Sequence, residues 1–223
     1  MNALTKYWFL EGFDLFQKLS KSTMMEMCTM LEMEHIDRGN SIALQNKDNK
    51  SIIFLKKGTV KIIDSMNDNA KFIVKTGNIF GELSLYDADT DVREKALALE
   101  DCIICYIKAD QMEALMKQHK SLKNGILKIY GIRIKKLERR LQDLLYKDSA
   151  TRIKEFIMDY INEFGQEQNG KIVAKNLLSH KDIASLTNTS RQTVSNILST
   201  LRKNRLIDYG SGYVSMNINE LTQ

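Results

Sequence analysis

The 223-residue chain has no proline, and apolar runs of the length a membrane span needs, about 18 residues, are missing as well. Its three cysteines, Cys28, Cys102 and Cys105, are odd in number and close no disulfide framework. The start, Met1–Phe16, carries acids and aromatics but no basic flank followed by an apolar block, so no secretory signal is expected. Together these absences predict a cytoplasmic protein kept reduced and away from membranes. Motifs for catalysis are missing too. There is no nucleophile-elbow glycine pattern, no glycine-lysine phosphate loop and no paired His/Glu metal motif, so an enzyme is not expected. At 43% hydrophobic and 27% charged residues, the chain has what a buried core requires.

Charge is unevenly divided. Residues 1–120 hold 16 basic and 18 acidic side chains, whereas residues 121–223 hold 17 and 10. Between Lys171 and Arg205 there are seven basic residues and one acid, Asp182. A basic block on an otherwise acidic chain is the footprint of a polyanion-binding module, although a solvated lysine-rich face has the same composition.

Three segments follow from periodicity. Residues 1–109 open helically, with Phe9, Phe13, Phe16 and Leu19 on one face to about Leu19. A second helix is expected over Ser22–Met33, with Ser22 as its cap. Short apolar runs then alternate with turns: Ile42–Leu44, Ser51–Lys56, Thr59–Asp64, Ala70–Lys75, Lys95–Leu99 and Cys102–Lys108 read as strands of a compact antiparallel barrel or roll. Residues 110–147 return to a helical period that persists unbroken. Leu127, Ile134 and Leu141 form one heptad series and Tyr130, Leu137 and Leu144 the other, the a and d spacing of a dimer seam. Residues 148–223 begin with a hinge at Asp148–Thr151. Helix Arg152–Phe164, an extended Lys171–Ala174, two helices and a terminal hairpin follow. The class is therefore α+β, with an antiparallel roll, a long helix and a C-terminal helical reading head.

That head carries the clearest motif. Ser179 and Asp182 form a capping box, and Ala184 is the small residue needed where two helices cross closely. Asn188 stands at the turn and tolerates the left-handed conformation. Thr189 and Gln192 suggest a second box, and Val194, Ile197 and Leu198 are the buried face of the next helix. The sequence thus describes a helix-turn-helix. Its outward face presents Ser190, Arg191, Gln192, Ser195, Asn196 and Ser199. Arginine grips guanine in a bidentate way, and glutamine or asparagine does so with adenine. Ser179 and His180, at the start of the first helix, are candidate phosphate contacts.

With these motifs in hand, the whole chain resembles the catabolite activator / fumarate-nitrate regulator (Crp–Fnr) superfamily. Ser51–Gly58 and Gly77-Asn78-Ile79-Phe80-Gly81-Glu82-Leu83 resemble the roll and phosphate cassette of a cyclic-nucleotide-binding domain, and Ser190–Leu198 resembles the family's recognition helix. The resemblance implies a β-roll, a dimerisation helix and a winged helix-turn-helix. It also implies a homodimer on a near-palindromic operator in double-stranded DNA, and contact with RNA polymerase.

The effector pocket departs from the family pattern. Cyclic-AMP binders follow Gly-Glu-Leu, after about nine residues, with Arg-Ser. Here Gly81, Glu82 and Leu83 are present, but Val92 and Arg93 occupy those positions, or Arg93 and Glu94 if one gap is admitted. Asp87, Asp89 and Asp91 add negative charge nearby, repulsive to a bound phosphate. On the long helix, Leu137 and Glu138 stand where adenine-binding hydroxyls belong. Gly81, Glu82, Leu83 and Arg93 are thus candidate effector contacts, yet activation by cyclic AMP is not expected, and no cofactor is identified. Two alternatives stay open: a true cyclic-AMP-activated regulator, and a cyclic-nucleotide-binding signalling module acting through protein contacts. No metal site is expected either. An iron–sulfur sensor needs four cysteines, and Cys102 and Cys105, three apart on a strand, point to opposite faces. His35, His119 and His180 are far apart in sequence.

Overall fold

The computed structural model describes residues 3–46, 49–81 and 94–217. The chain divides into two compact units, residues 1–136 and 137–223.

The first unit begins with α1 (Ala3–Leu10), a 3₁₀ turn at Asp14–Phe16 and α2 (Lys21–Met30). The single helix expected to Leu19 is thus interrupted. Phe13 is extended (φ −102°, ψ 125°), which lets Phe9, Phe13 and Phe16 all reach the core. The cap of α2 is Ser20 rather than Ser22: its hydroxyl accepts from Thr23 N at 3.1 Å. Met24, Met27, Cys28 and Leu31 are buried, as their spacing requires.

Among the described residues nine strands follow: β1 (Glu32–Ile36), β2 (Ser41–Ile42), β3 (Gln45–Asn46), β4 (Asn49–Lys57), β5 (Thr59–Asp64), β6 (Ala70–Lys75), β7 (Ile79–Gly81), β8 (Glu94–Ala98) and β9 (Cys102–Lys108). They form two antiparallel sheets. One is ordered β1-β9-β4-β3, with β7 also on β4, and the other β2-β8-β5-β6. The strand expected at Ile42–Leu44 shrinks to β2, while β1, β3 and β7 escaped the sequence reading because they are short or polar. Glu32–Ile36 contains Glu32, Glu34 and His35 on a mostly exposed strand. The run Ile52-Ile53-Phe54-Leu55 is continuous because β4 is covered on both sides. Ile52 and Phe54 enter a core shared with the helices, and Ile53 and Leu55 the core between the sheets. Phe54 lies 5.8 Å from Phe13 and 5.3 Å from Phe16, centroid to centroid. Each such buried aromatic contributes about 1.5–3 kcal/mol through apolar burial.

The helical stretch after β9 is two helices, α3 (Ala109–Gln118) and α4 (Lys120–Tyr146), not one. His119 breaks it with extended backbone (φ −118°, ψ 95°). Its ring is engaged on α2, with Nδ1 3.3 Å from Thr23 Oγ1 and Nε2 3.2 Å from Glu26 Oε2. Leu122 and Ile126 anchor the start of α4 in the first unit's core.

The second unit contains α5 (Ser149–Phe164), β10 (Gln166–Gln168), β11 (Lys171–Lys175), α6 (His180–Thr187), α7 (Arg191–Lys203), β12 (Asp208–Tyr209) and β13 (Tyr213–Asn217). Its sheet runs β10-β11-β13-β12, all antiparallel. The expected hinge is a capped junction: Asp148 Oδ1 accepts from Thr151 N at 2.7 Å. These hydrogen bonds hold the Asp148 carboxyl below the usual range. The fold is α+β: an antiparallel roll, a long helix and a winged helix-turn-helix.

Candidate nucleic-acid interface

The first helix of the motif is fixed by its cap. Ser179 Oγ accepts from Asp182 N at 3.1 Å, and Asp182 Oδ2 accepts from Ser179 N at 2.9 Å and from Ser179 Oγ at 2.7 Å. Asp182 is buried, whereas Lys171, Lys175, Lys181, Arg191, Arg202, Lys203 and Arg205 are exposed. The acid of the basic block is thus withdrawn into a structural role, and the block meets solvent as positive charge. His180 is half-buried with its ring 6.0 Å from that of Tyr209.

Asn188 adopts the left-handed conformation (φ 50°, ψ 57°), as expected for an asparagine standing where glycine is usual. The second cap is displaced by one residue from the expected box. Ser190 caps α7, its hydroxyl accepting from Thr193 N at 3.0 Å, while Thr189 Oγ1 lies 3.1 Å from Thr187 Oγ1. Thr189 N donates to Ala184 O at 2.8 Å, so Thr189 belongs to the turn and the helix starts after Ser190.

On α7 the apolar side, Val194, Leu198 and Leu201, is buried, and Ile197 is half-buried rather than fully so. Arg191, Gln192, Asn196 and Ser199 are exposed and Ser195 is half-buried. Gln192 Nε2 donates to Asn196 Oδ1 at 3.0 Å, which orders two amides, one turn apart, on the outer face. Ser190 is exposed, but its hydroxyl is also 2.8 Å from Thr193 Oγ1, so it is engaged with its own helix. The hairpin behind the helix is pinned by Asn176, whose Nδ2 donates to Gly210 O at 2.8 Å and whose Oδ1 accepts from Tyr209 Oη at 3.3 Å.

Arg152 is a positioning residue that the sequence reading missed. Its Nε donates to Thr187 O at 3.0 Å, Nη2 to Asn188 O at 3.2 Å and Nη1 to Lys147 O at 2.6 Å. One guanidinium thus places a positive charge at the C-terminus of α6, where the helix dipole favours it, and ties the turn to the start of α5. Arg140 Nη2 also reaches Ser185 O, at 3.4 Å. No local pattern marks these arginines, because apart from Lys147 O their acceptors are main-chain atoms 35 to 45 residues away.

Along α4, Leu127, Ile134, Leu137 and Leu141 are 52%, 56%, 64% and 59% exposed, an apolar stripe without cover among the described residues. Leu144 is half-buried. Tyr130 is half-buried against the first unit's own core.

In the roll, Gly81 ends β7 with φ +89°, and a Cβ there would fall 2.0 Å from Ser51 O, so glycine is required. Glu82, Leu83 and Arg93 lie outside the described residues, as do Asp87, Asp89, Asp91 and Val92. Glu94 forms an ion pair with Lys71. Arg133 of α4, also missed, donates to Ile79 O of β7 and stands 5.6 Å over the Tyr130 ring. Burial pushes its pKa down, opposed by Tyr130 and Glu94. Its signal was spacing: Leu122, Ile126, Ile129 and Arg133 share one face of α4, an arginine on an otherwise apolar, core-facing stripe.

The cysteines are all buried. Cys102 faces the inter-sheet core and Cys105 the helix-covered core, opposite sides of β9 as residues three apart must be. Burial pushes the Cys105 thiol up to about 12. Among the described residues no helix is long and apolar enough to cross a membrane.

Two families match the chain: the Cyclic nucleotide-binding domain over residues 33–119 and the Crp-like helix-turn-helix domain over residues 151–223. The "Global nitrogen regulator" of Synechococcus elongatus is 25% identical over 79% of this chain and 82% of its own. The "CRP-like cAMP-activated global transcriptional regulator" of Mycobacterium tuberculosis is 21% identical over 82% of this chain and 83% of its own. Among solved structures, a CooA mutant from Carboxydothermus hydrogenoformans shares the fold with a TM-score of 0.69 at 19% identity, over 92% of this chain and 89% of that one. With a roll of the first family, a reading head of the second and the long α4 joining them, the chain belongs to the Crp–Fnr superfamily of DNA-binding transcriptional regulators.

Proposed function

We propose that the protein is a cytoplasmic, non-enzymatic homodimer that reads a near-palindromic operator and regulates transcription there through contact with RNA polymerase. The observation that carries this reading is the outer face of α7. Arg191, Gln192, Asn196 and Ser199 stand free of the core on a helix whose opposite side is buried, within a surface of exposed cations. A polar helix with one arginine and two ordered amides suits major-groove readout. Ser179, His180, Ser190 and Ser195 flank that face as backbone contacts. The exposed stripe Leu127, Ile134, Leu137 and Leu141, with Tyr130 and Leu144 beside it, is the seam through which a second copy would align two reading heads. Sites selected from random duplexes should be near-palindromic with an adenine preference in each half-site core. Binding should fall steeply with salt, as counterion release demands. A protein-interaction module would give neither.

Cyclic AMP is not the activator in this reading. Glu94, engaged with Lys71, replaces the hydroxyl that would follow a phosphate-binding arginine, and Leu137 and Glu138 offer adenine no hydroxyl. A ligand shifts an equilibrium only through its different affinity for two states. Calorimetric titration of cyclic AMP, with operator binding repeated at saturation, tests this. A micromolar heat with a gain of about tenfold in operator affinity, some 1.4 kcal/mol of coupling, would overturn it. Arg133 supports a second reading of the same pocket. Its desolvated guanidinium beside β7 suits an anionic effector other than cyclic AMP.

A further inference from the structure

A cleft of about 510 Å³ opens in the second unit where the end of α7 meets the sheet. That is within the range of small-molecule sites, roughly 300–1,000 Å³. Lys171 on β11 and Arg202 and Arg205 at the end of α7 line it, with Asp208 as the carboxylate on its wall. Asp208 accepts from Tyr213 Oη at 3.0 Å. None of the three cations makes an ion pair with a described residue. Among the described lining residues the cations therefore exceed the carboxylates by two at neutral pH.

Helix-end electrostatics explain part of this charge. Arg202 lies in the last turn of α7, where a cation opposes the dipole. Lys171 is on a strand and has no helix end to serve. Arg205 is held at φ +60°, in the left-handed region where a helix terminus usually has glycine or asparagine. A polar group inside the cleft adds an independent pointer. Ser215 is 2% exposed and lines the cleft. Its hydroxyl is an uncharged side-chain donor that a strand of the sheet, β13, supplies at a fixed position. Met216 supplies an apolar floor.

We propose that this cleft binds a compact organic dianion, a phosphomonoester or a dicarboxylate. Arg202 and Arg205 fork its oxygens, Lys171 balances the remaining charge and the Ser215 hydroxyl orients it. Guanidinium groups match both oxyanion geometries bidentately, and the excess charge of the wall matches a dianion. The site shares no residue with the roll pocket or the outer face of α7, but its three cations belong to the exposed basic surface of the DNA reading, so the two uses must be separated by experiment.

Calorimetry on the full-length protein, at low ionic strength in phosphate-free buffer, tests it with ribose 5-phosphate, inorganic phosphate, citrate, succinate and the monoanion acetate. Saturable binding of one site per chain is expected for a dianion class and none for acetate. The response separates phosphoryl from carboxylate ligands. The double variant Arg202→Gln/Arg205→Gln should weaken binding at least tenfold, and Lys171→Gln and Ser215→Ala should each weaken it. Lys171→Gln alters an exposed side chain and keeps the test decisive if the double variant unfolds. No saturable heat from any probe, or equal affinity in all variants, overturns the proposal. Operator binding supplies the remaining arm. A fall of about 2 in the log–log salt slope of the double variant would assign these cations to DNA phosphates and overturn the proposal, while an unchanged slope with lost dianion binding supports it.

Discussion

Replacing Arg152 by alanine removes three hydrogen bonds from one charged donor group, to Thr187 O, Asn188 O and Lys147 O. A hydrogen bond to a charged group contributes about 1.5–3 kcal/mol net when isolated. These three share one guanidinium and are partly open to water, so their sum is well below three times that figure. The cation also loses its place at the C-terminus of α6, about 0.3–1 kcal/mol at a surface site. Thr187 is buried, so its carbonyl is left with little water to replace the lost donor. We expect Arg152→Ala to destabilise the second unit by about 2–4 kcal/mol. Arg152→Lys, which lacks the planar fork, should recover less than half of that. Because Asn188 and Thr189 set where α7 begins, amide exchange at Thr189 and Ser190 should accelerate, and operator affinity should fall at least about tenfold, or 1.4 kcal/mol. Urea unfolding followed by circular dichroism, exchange of those amides and equilibrium operator binding measure the three effects. If the alanine variant is within about 0.5 kcal/mol of the parent, as a neutral surface change would be, and binds the operator equally well, Arg152 does not position the turn.

The other predictions concern separate parts of the molecule. Arg191→Ala should cost about 1–3 kcal/mol and relax base preference at one half-site position; uniform weakening on all duplexes would make Arg191 a phosphate contact instead. Glutamate at Ile134 or Leu141 would bury an unpaired charge in the seam, at a cost of several kcal/mol. Sedimentation should then show monomer with operator binding lost, and a surviving dimer would move the interface elsewhere. Tyr106 should titrate at about 12, because its hydroxyl donates to Glu32 Oε2 at 2.7 Å and that bond favours the protonated phenol. The raised folded pKa makes its contribution to stability present below the ordinary tyrosine value, near 10, and lost as the pH rises through about 12. Tyr209 and Tyr213 are also shifted upward, so spectrophotometric titration of the protein and of Tyr106→Phe should show the loss of one phenol titrating at about 12, and an unchanged number of late-titrating phenols would refute it.

What was legible in the sequence was what short-range physics fixes. Ser179-x-x-Asp182 is a capping box because both partners are three residues apart on one helical turn. Asn188 is left-handed because few other residues accept that conformation, and the heptads of α4 are apolar whether or not a partner is present. The run Ser51–Lys56 reads as a strand from its composition alone, and Cys102 and Cys105 diverge because a strand has a period of two. Tertiary structure decided the rest. It broke the helix at His119, whose ring is held by Thr23 and Glu26 on α2. It moved two caps by one or two residues, to Ser20 and Ser190, since several neighbouring hydroxyls satisfy the same local rule and the surrounding turn selects among them. It also gave Arg152 and Arg133 their partners. Those partners are main-chain carbonyls, most of them far along the chain, and they have no spacing that a sequence can display.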